Sequence, residues 1–350
     1  MEQRFRNYII ILLVLIFSNI GLAHGQSEKT SKFPVLRGPY LGQKPPGMTP
    51  EIFAPGVVTD ISDEHTATMF TADGKEAFWS RIMNPGQHPR CMVIMHVKQE
   101  NGVWSKPELA PFNIGTYNFI DSISPDGKRV YFKAFQRIEK GEEITRRWTN
   151  WVVHKTDRGW GEPRLPEEDF KWDDKYFDFN ETNSGNRYFS SKLLGVEREF
   201  GFFRSKYVDG EYQQPEALGK TINSEYLDYA FYVDPDEKFI IFASNRPGGF
   251  LGTELYISFH QPDDSWGPAM NLSSKINNSV FAGGTDWPYL SPDGKYLFFI
   301  ASVEAYQDSY VEDGTYEQLK AISLSIENGY SKTYWVNTSF IEELKPDELK

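Results

Sequence analysis

Leu290-Ser-Pro-Asp-Gly-Lys-Tyr-Leu-Phe-Phe-Ile300 is a tight turn followed by a hydrophobic run, and the chain writes this pattern five times. Ile123-Ser-Pro-Asp-Gly-Lys-Arg-Val-Tyr-Phe132 and Phe70-Thr-Ala-Asp-Gly-Lys-Glu-Ala-Phe-Trp79 are clear copies. Val233-Asp-Pro-Asp-Glu-Lys-Phe-Ile-Ile-Phe242 keeps the plan, and Asn183-Ser-Gly-Asn-Arg-Tyr-Phe189 is a worn fifth copy. Pro presets φ, Asp bonds its own backbone and Gly accepts a positive φ, so each copy encodes a turn. The β-branched and aromatic residues that follow read as a strand. Counted from Asp73 through Asp126, Ser184 and Asp236 to Asp293, the steps are 53, 58, 52 and 57 residues. A near-constant period of this size points to a solenoid or a propeller.

A second feature recurs within each period. Gly102-Val-Trp-Ser-Lys-Pro-Glu-Leu109, Gly159-Trp-Gly-Glu-Pro-Arg-Leu165, Gly210-Glu-Tyr-Gln-Gln-Pro-Glu-Ala-Leu218 and Ser265-Trp-Gly-Pro-Ala-Met-Asn-Leu272 close the first four units. Strand-like runs precede them at Met92 to Val97, Trp151 to His154, Phe200 to Phe203 and Leu255 to Phe259. Each unit therefore reads as four antiparallel strands, which repeated radially make a β-propeller. Thr49-Pro-Glu-Ile-Phe-Ala-Pro-Gly56 resembles Lys106-Pro-Glu-Leu-Ala-Pro111 and reads as an orphan outer strand. Pairing it with the run from Thr333 to Ile341 would close the ring and remove an open sheet edge. The expectation is an all-β, five-bladed propeller, with six blades open as an alternative. Ala305 to Glu317 reads as an insertion in the last blade.

The repeat resembles the WD-repeat-like repeats of TolB-type periplasmic propeller proteins, over about Thr49 to Leu344. Asn223-Ser-Glu-Tyr, Phe242-Ala-Ser-Asn-Arg-Pro-Gly-Gly249 and Trp266-Gly-Pro268 carry the likeness best. Blade three departs by lacking Pro-Asp-Gly, and blade four by having Glu237 in place of Gly. The resemblance implies an exported bacterial protein and fixes no chemistry, because such propellers host many functions.

Composition agrees with a folded, turn-rich protein: 39% hydrophobic and 15% aromatic residues, with 28 Gly and 21 Pro in 350. A net charge of −12 argues against nucleic acid or an anionic membrane as the main partner. Residues 1–25 read as a cleavable signal peptide. Arg4 and Arg6 precede an apolar run from Tyr8 to Phe17, and Ala23-His24-Gly25 offers a cleavage site after Gly25. Residues 26–47 read as a flexible leader and 48–350 as one propeller domain. No Cys follows the signal to carry a lipid, and the single Cys91 allows no internal disulfide. A periplasmic or secreted monomer without a membrane anchor is expected.

No catalytic motif with a mechanism-bearing spacing stands out. Candidate ligand groups lie just before each turn, on strands that line the channel of a propeller: Glu64, His65, Asn118, Asp121, Asp178, Asp228 and Asp286. Together they could hold Ca²⁺ through oxygen ligands, bind a sugar, or simply tie each blade to its neighbour by bonding backbone N–H groups. No other cofactor is implied. Arg81 and Arg246, each after a second strand, could grip a carboxylate or brace a turn. Trp104, Trp160 and Trp266 recur at matching positions and read as inter-blade core. Trp148, with Trp151 and the Arg146-Arg147 pair, breaks the repeat and is a candidate exposed binding surface. Three functions remain open at this stage. The first, and the one the sequence favours, is a non-enzymatic module that binds a protein or cell-envelope ligand through its loop face or channel mouth. The others are a glycan-active hydrolase or lyase using channel carboxylates, and a metal-dependent binding module.

Overall fold

The computed structural model describes residues 33–83, 91–140, 143–166, 176–191, 201–247, 252–272, 276, 281, 284–303 and 315–349. The expected signal peptide and residues 26–32 of the leader lie outside the described residues. Val35–Lys350 forms one unit, a five-bladed propeller of four-stranded antiparallel sheets. Blade 2 runs Asn118–Ile123, Arg129–Lys140, Glu143–Thr156 and Gly159–Trp160 from the axis outward. Blade 3 is Tyr176–Glu181, Arg187–Ser191, Gly201–Ser205 and Glu216–Ala217, and blade 4 is Asp228–Val233, Phe239–Ser244, Glu254–Phe259 and Met270–Asn271. Blade 1 differs in that its inner edge is two short strands, Asp63–Glu64 and Met69–Phe70, both paired with Glu76–Met83.

Ring closure follows the sequence pattern. Blade 5 takes Thr285–Leu290, Tyr296–Ala301 and Lys332–Asn337 from the C-terminal end, and Glu51–Ile52 is its outer strand, with Glu51 opposite Trp335. The remainder of the leader lies against the ring: Leu41 is buried, and Tyr40 packs edge-on against Phe70 and Tyr296. Sequence periodicity missed two helices. Tyr316–Ser323 starts at a capping box between Thr315 and Gln318, and Ser339–Leu344 ends the strand-like run early. The rest of the expected insertion, residues 304–314, lies outside the described residues.

The Pro-Asp-Gly turns are built alike. In blade 2 the Ser124 hydroxyl donates to Asp126 Oδ1 (2.6 Å), which also accepts the Lys128 N–H, and Gly127 sits at φ 69°. Blades 1 and 5 repeat this with Thr71 and Asp73 and with Ser291 and Asp293. The two departures from the motif compensate one another. Glu237, at φ 60°, sends its carboxylate from blade 4 into the blade 3 turn. There it accepts from Thr182 and Asn186 (both 3.0 Å), from Tyr188 (2.5 Å) and from Ser184. It stands where the Asp missing from blade 3 would be.

Strands buried on both faces generate one apolar cluster per blade interface. Phe298 faces blade 1 with Phe53, Trp79 and Trp335, whereas Phe299 faces blade 4 with Ile241 and Leu255. Phe78, Phe112 and Phe132 join blades 1 and 2; Tyr131, Phe179 and Phe189 join 2 and 3; Tyr188, Phe202 and Phe242 join 3 and 4. Trp104, Trp160 and Trp266 each pack on one of these interfaces. Among the described residues no helix is long and apolar enough to cross a membrane.

Candidate functional site

The inner strands of four blades each carry a bulge: between Ile120 and Ser122, Phe177 and Asn180, Tyr229 and Phe231, and Asp286 and Tyr289. A bulge adds a residue that its partner strand cannot match, and so re-aims a side chain. Asp121 and Asp178 fall inside the bulges of blades 2 and 3, and Asp286 borders that of blade 5. Asp178 and Trp287 adopt the left-handed region, at φ 50° and 47°. For a tryptophan followed by proline this costs about 1–3 kcal/mol, a strain found most often at functional positions.

These carboxyl groups form an electrostatically linked row. Tyr229 donates its hydroxyl to Asp286 Oδ2 (3.1 Å) and also feels the charge of Asp178. Asp178 Oδ2 accepts the Ser190 hydroxyl (2.8 Å), and the Ala230 backbone N–H bonds the same carboxylate. Lys133, 1% exposed, interacts with both Asp178 and Asp121. Burial pushes the Asp121 carboxyl up to about 7; the Lys133 ammonium pulls it back, and Asp178 raises it further. Burial likewise lifts Asp286 to about 7 against the Tyr229 hydrogen bond. Asp178 is raised by burial, opposed by Lys133, Ser190 and the Ala230 N–H. Asp121 Oδ1 and Asp286 Oδ1 are buried and accept no hydrogen bond among the described residues.

Aromatic rings adjoin this row. His65 packs against Phe119 (5.3 Å) and Trp287 (5.4 Å), and Phe119 against Trp148 (5.2 Å). Glu64 is a further buried carboxyl, raised by burial to about 7 despite Thr333, Arg81 and Lys332, and its Oε1 has no hydrogen-bond partner among the described residues. It accepts the Thr333 N–H (2.7 Å), which ties blade 1 to blade 5.

The remaining sequence candidates are braces. Asn118 and Asp228 open their strands, and each accepts the backbone N–H four residues earlier, from Ile114 and Ser224 (both 2.8 Å). The other Asp228 oxygen is paired with Arg246 (2.7 Å), whose guanidinium also donates to the Thr221 and Ile222 carbonyls. Arg81 pairs with Asp60 (2.9 Å) and donates to the Val58 carbonyl. Thus the structure links Asp121, Asp178 and Asp286, sets His65 and Trp148 in aromatic contact through Phe119, and places Asn118, Asp228, Arg81 and Arg246 in the frame. Lys133, Tyr229 and Trp287 were missed. A lone lysine inside Val130-Tyr-Phe-Lys-Ala-Phe135 and a strand proline after Trp287 were the signals available. Among the described residues no group of three or more His, Cys, Asp or Glu is arranged to hold a metal ion. At the other end of the axis the five turns ring a cavity of about 400 Å³, into which Tyr232 and Tyr289 face.

No family model and no curated protein matches the sequence. Solved structures similar to it include an α-L-arabinofuranosidase from Lactobacillus brevis, with TM-score 0.41 and 11% identity, covering 80% of this chain and 91% of that one. The endo-arabinase from Bacteroides thetaiotaomicron gives 0.40 and 11%, over 70% and 92%. The α-L-arabinofuranosidase PaAbf62A from Podospora anserina, in complex with cellotriose, gives 0.41 and 10%, over 83% and 97%. The expectation of a non-enzymatic binding module is corrected here, since these structures are of enzymes. At this identity the likeness speaks to fold alone, so any chemistry must come from this chain's own residues.

Proposed function

We propose that the protein is a glycan-active hydrolase whose acid and base are axial carboxyl groups. The observation that carries this reading is Asp286: half-buried, its carboxyl raised to about 7, with one oxygen bound by Tyr229 and the other without a hydrogen-bond partner among the described residues. A carboxylic acid still protonated at pH 6–7 can donate to a glycosidic oxygen, which an ordinary aspartate cannot. Asp178 is the complementary group. Burial raises its carboxyl as well, but Lys133, Ser190 and the Ala230 N–H oppose that rise by stabilising the ionised form, the form a base or nucleophile uses. Asp121 shares Lys133 with it, and its carboxyl is raised by burial and by the charge of Asp178. Paired carboxyls in these two states are the working parts of most glycosidases.

Asp286→Asn and Asp178→Asn should each lower turnover of a susceptible polysaccharide by about a thousandfold or more, with melting temperatures retained. Release of reducing sugar from arabinan, xylan and pectin fractions is the assay. Turnover undiminished in both variants, or none on any glycan by the native protein, would overturn the reading. Export belongs to the same proposal: N-terminal sequencing of protein made in a bacterial host should begin at Gln26. The kinship to TolB-type repeats rests on the Ser-Pro-Asp-Gly turns and does not bear on this chemistry.

A further inference from the structure

We infer that the long hairpin of blade 2 is a glycan-holding arm that selects an extended acidic polysaccharide, one bearing uronate carboxylates; this deepens the hydrolase reading and rests on it. Arg129–Lys140 and Glu143–Thr156 have 12 and 14 residues, where the second and third strands of blade 4 have 6 each. Inner-strand pairing stops at Asn118 opposite Ala134. From Phe135 outward the hairpin therefore projects past the blade by about 20 Å, the span of several sugar rings.

Its register decides what it displays. Asn150 lies opposite Lys133, Trp148 opposite Phe135, and Arg146 opposite Arg137. Strand alternation puts Lys133, Phe135, Trp148 and Arg146 on one face. Lys133 belongs to the carboxyl row. Next outward, Phe135 and Trp148 pack 5.4 Å apart, and Phe135 remains 39% exposed. One step further Arg146 is exposed and makes no ion pair among the described residues. Sugar C–H faces stack on aromatic rings, and a guanidinium takes a carboxylate in a bidentate fork. A sugar resting on Trp148 and Phe135 would thus offer a neighbouring uronate to Arg146 while the chain leads down to Asp178 and Asp286. A neutral chain offers that guanidinium only single hydroxyl contacts, weaker than a carboxylate fork.

Affinity electrophoresis of the full-length protein tests this, with polygalacturonate, alginate and hyaluronate as acidic probes. Methyl-esterified polygalacturonate and arabinan are the neutral ones. Binding of at least one acidic probe is expected, and esterification of polygalacturonate should abolish any binding to it. Arg146→Gln and Trp148→Ala should each weaken binding about tenfold. Arg146 is exposed, so its variant keeps the test valid should Trp148→Ala fold poorly. No retention by any acidic probe, or equal retention by the methyl ester, overturns the inference. If arabinan is cleaved, with loss in Asp286→Asn, while the acids neither bind nor react, this inference falls and the hydrolase reading stands. If the acids bind as expected and no glycan is cleaved, the arm is upheld and the hydrolase reading falls.

Discussion

Glu237 offers a sharp test of how the ring holds together, because two irregular turns depend on one carboxylate. Glu237→Ala removes the acceptor for Thr182, Ser184, Asn186 and Tyr188. Tyr188 and Thr182 are 0% and 3% exposed, so their hydroxyls could not turn to water instead. Hydrogen bonds to a charged group contribute about 1.5–3 kcal/mol each, but they are not additive. A loss of about 3–5 kcal/mol is expected, the range for removing one partner from a buried charged network. Glu237 also sits at φ 60°, which glycine occupies without strain. Glu237→Gly should therefore be less damaging than Glu237→Ala by about 1 kcal/mol. Adding Ser184→Asp to Glu237→Gly restores the turn chemistry of blades 1, 2 and 5, and should recover most of the loss. Burial alone would raise the Glu237 carboxyl, yet its hydrogen bonds hold it below the usual glutamate range. Between the folded and unfolded values the unfolded chain binds more protons, so this contribution is present above about pH 4.5 and fades as pH falls through the folded value. Urea unfolding followed by tryptophan fluorescence at pH 7 and pH 4 measures each term. A Glu237→Ala variant within 0.5 kcal/mol of the native protein, or no recovery on adding Ser184→Asp, would refute the compensation.

Other perturbations probe the axis and the closure. Arg246→Ala strands Asp228, whose side chain is 2% exposed, and should cost about 3–5 kcal/mol in urea unfolding. Phe53→Ala empties a fully buried site between Phe70, Phe298 and Trp335, and should cost about 3–5 kcal/mol; a smaller loss would mean that the N-terminal strand adds little to ring closure. The raised carboxyls reverse the usual pH trend. Asp121, Asp286 and Glu64 bind their protons more tightly folded than unfolded, so their contribution is full below about pH 4 and is lost as pH rises towards 7. In a thermal melt series Asp286→Asn should flatten that decline between pH 4 and 7, and an unchanged slope would contradict the burial argument.

What the sequence displayed, it displayed through local physics. Ser124-Pro-Asp-Gly bonds within itself, so the turn is legible from four residues, and Thr49-Pro-Glu-Ile announces the outer strand because it repeats Lys106-Pro-Glu-Leu. The helix Tyr316–Ser323 breaks the repeat, and only its Thr315 and Gln318 capping signal was there to read. Counting back from the turns found the right strands but could not rank their acids. Asp228 stands eight residues before Asp236 and Asp286 seven before Asp293. That single step decides their surroundings: Asp228 opens its strand and caps a loop, whereas Asp286 sits one position further in, beside the bulge, and meets Tyr229. Sequence spacing carries no record of a bulge.

The same division explains how the axis tolerates such unfavourable groups. Stability resides in the five apolar interfaces between blades, which the inner strands join through Ile123, Phe231, Val233 and Leu290. Arg246 and Asp228, Arg81 and Asp60, and Glu64 with Thr333 brace the ends of the strands. Between brace and turn each inner strand can accept a bulge, a left-handed residue or a buried acid without opening the ring. A fold whose cohesion lies between its blades can hold raised carboxyls at the hub without losing the ring.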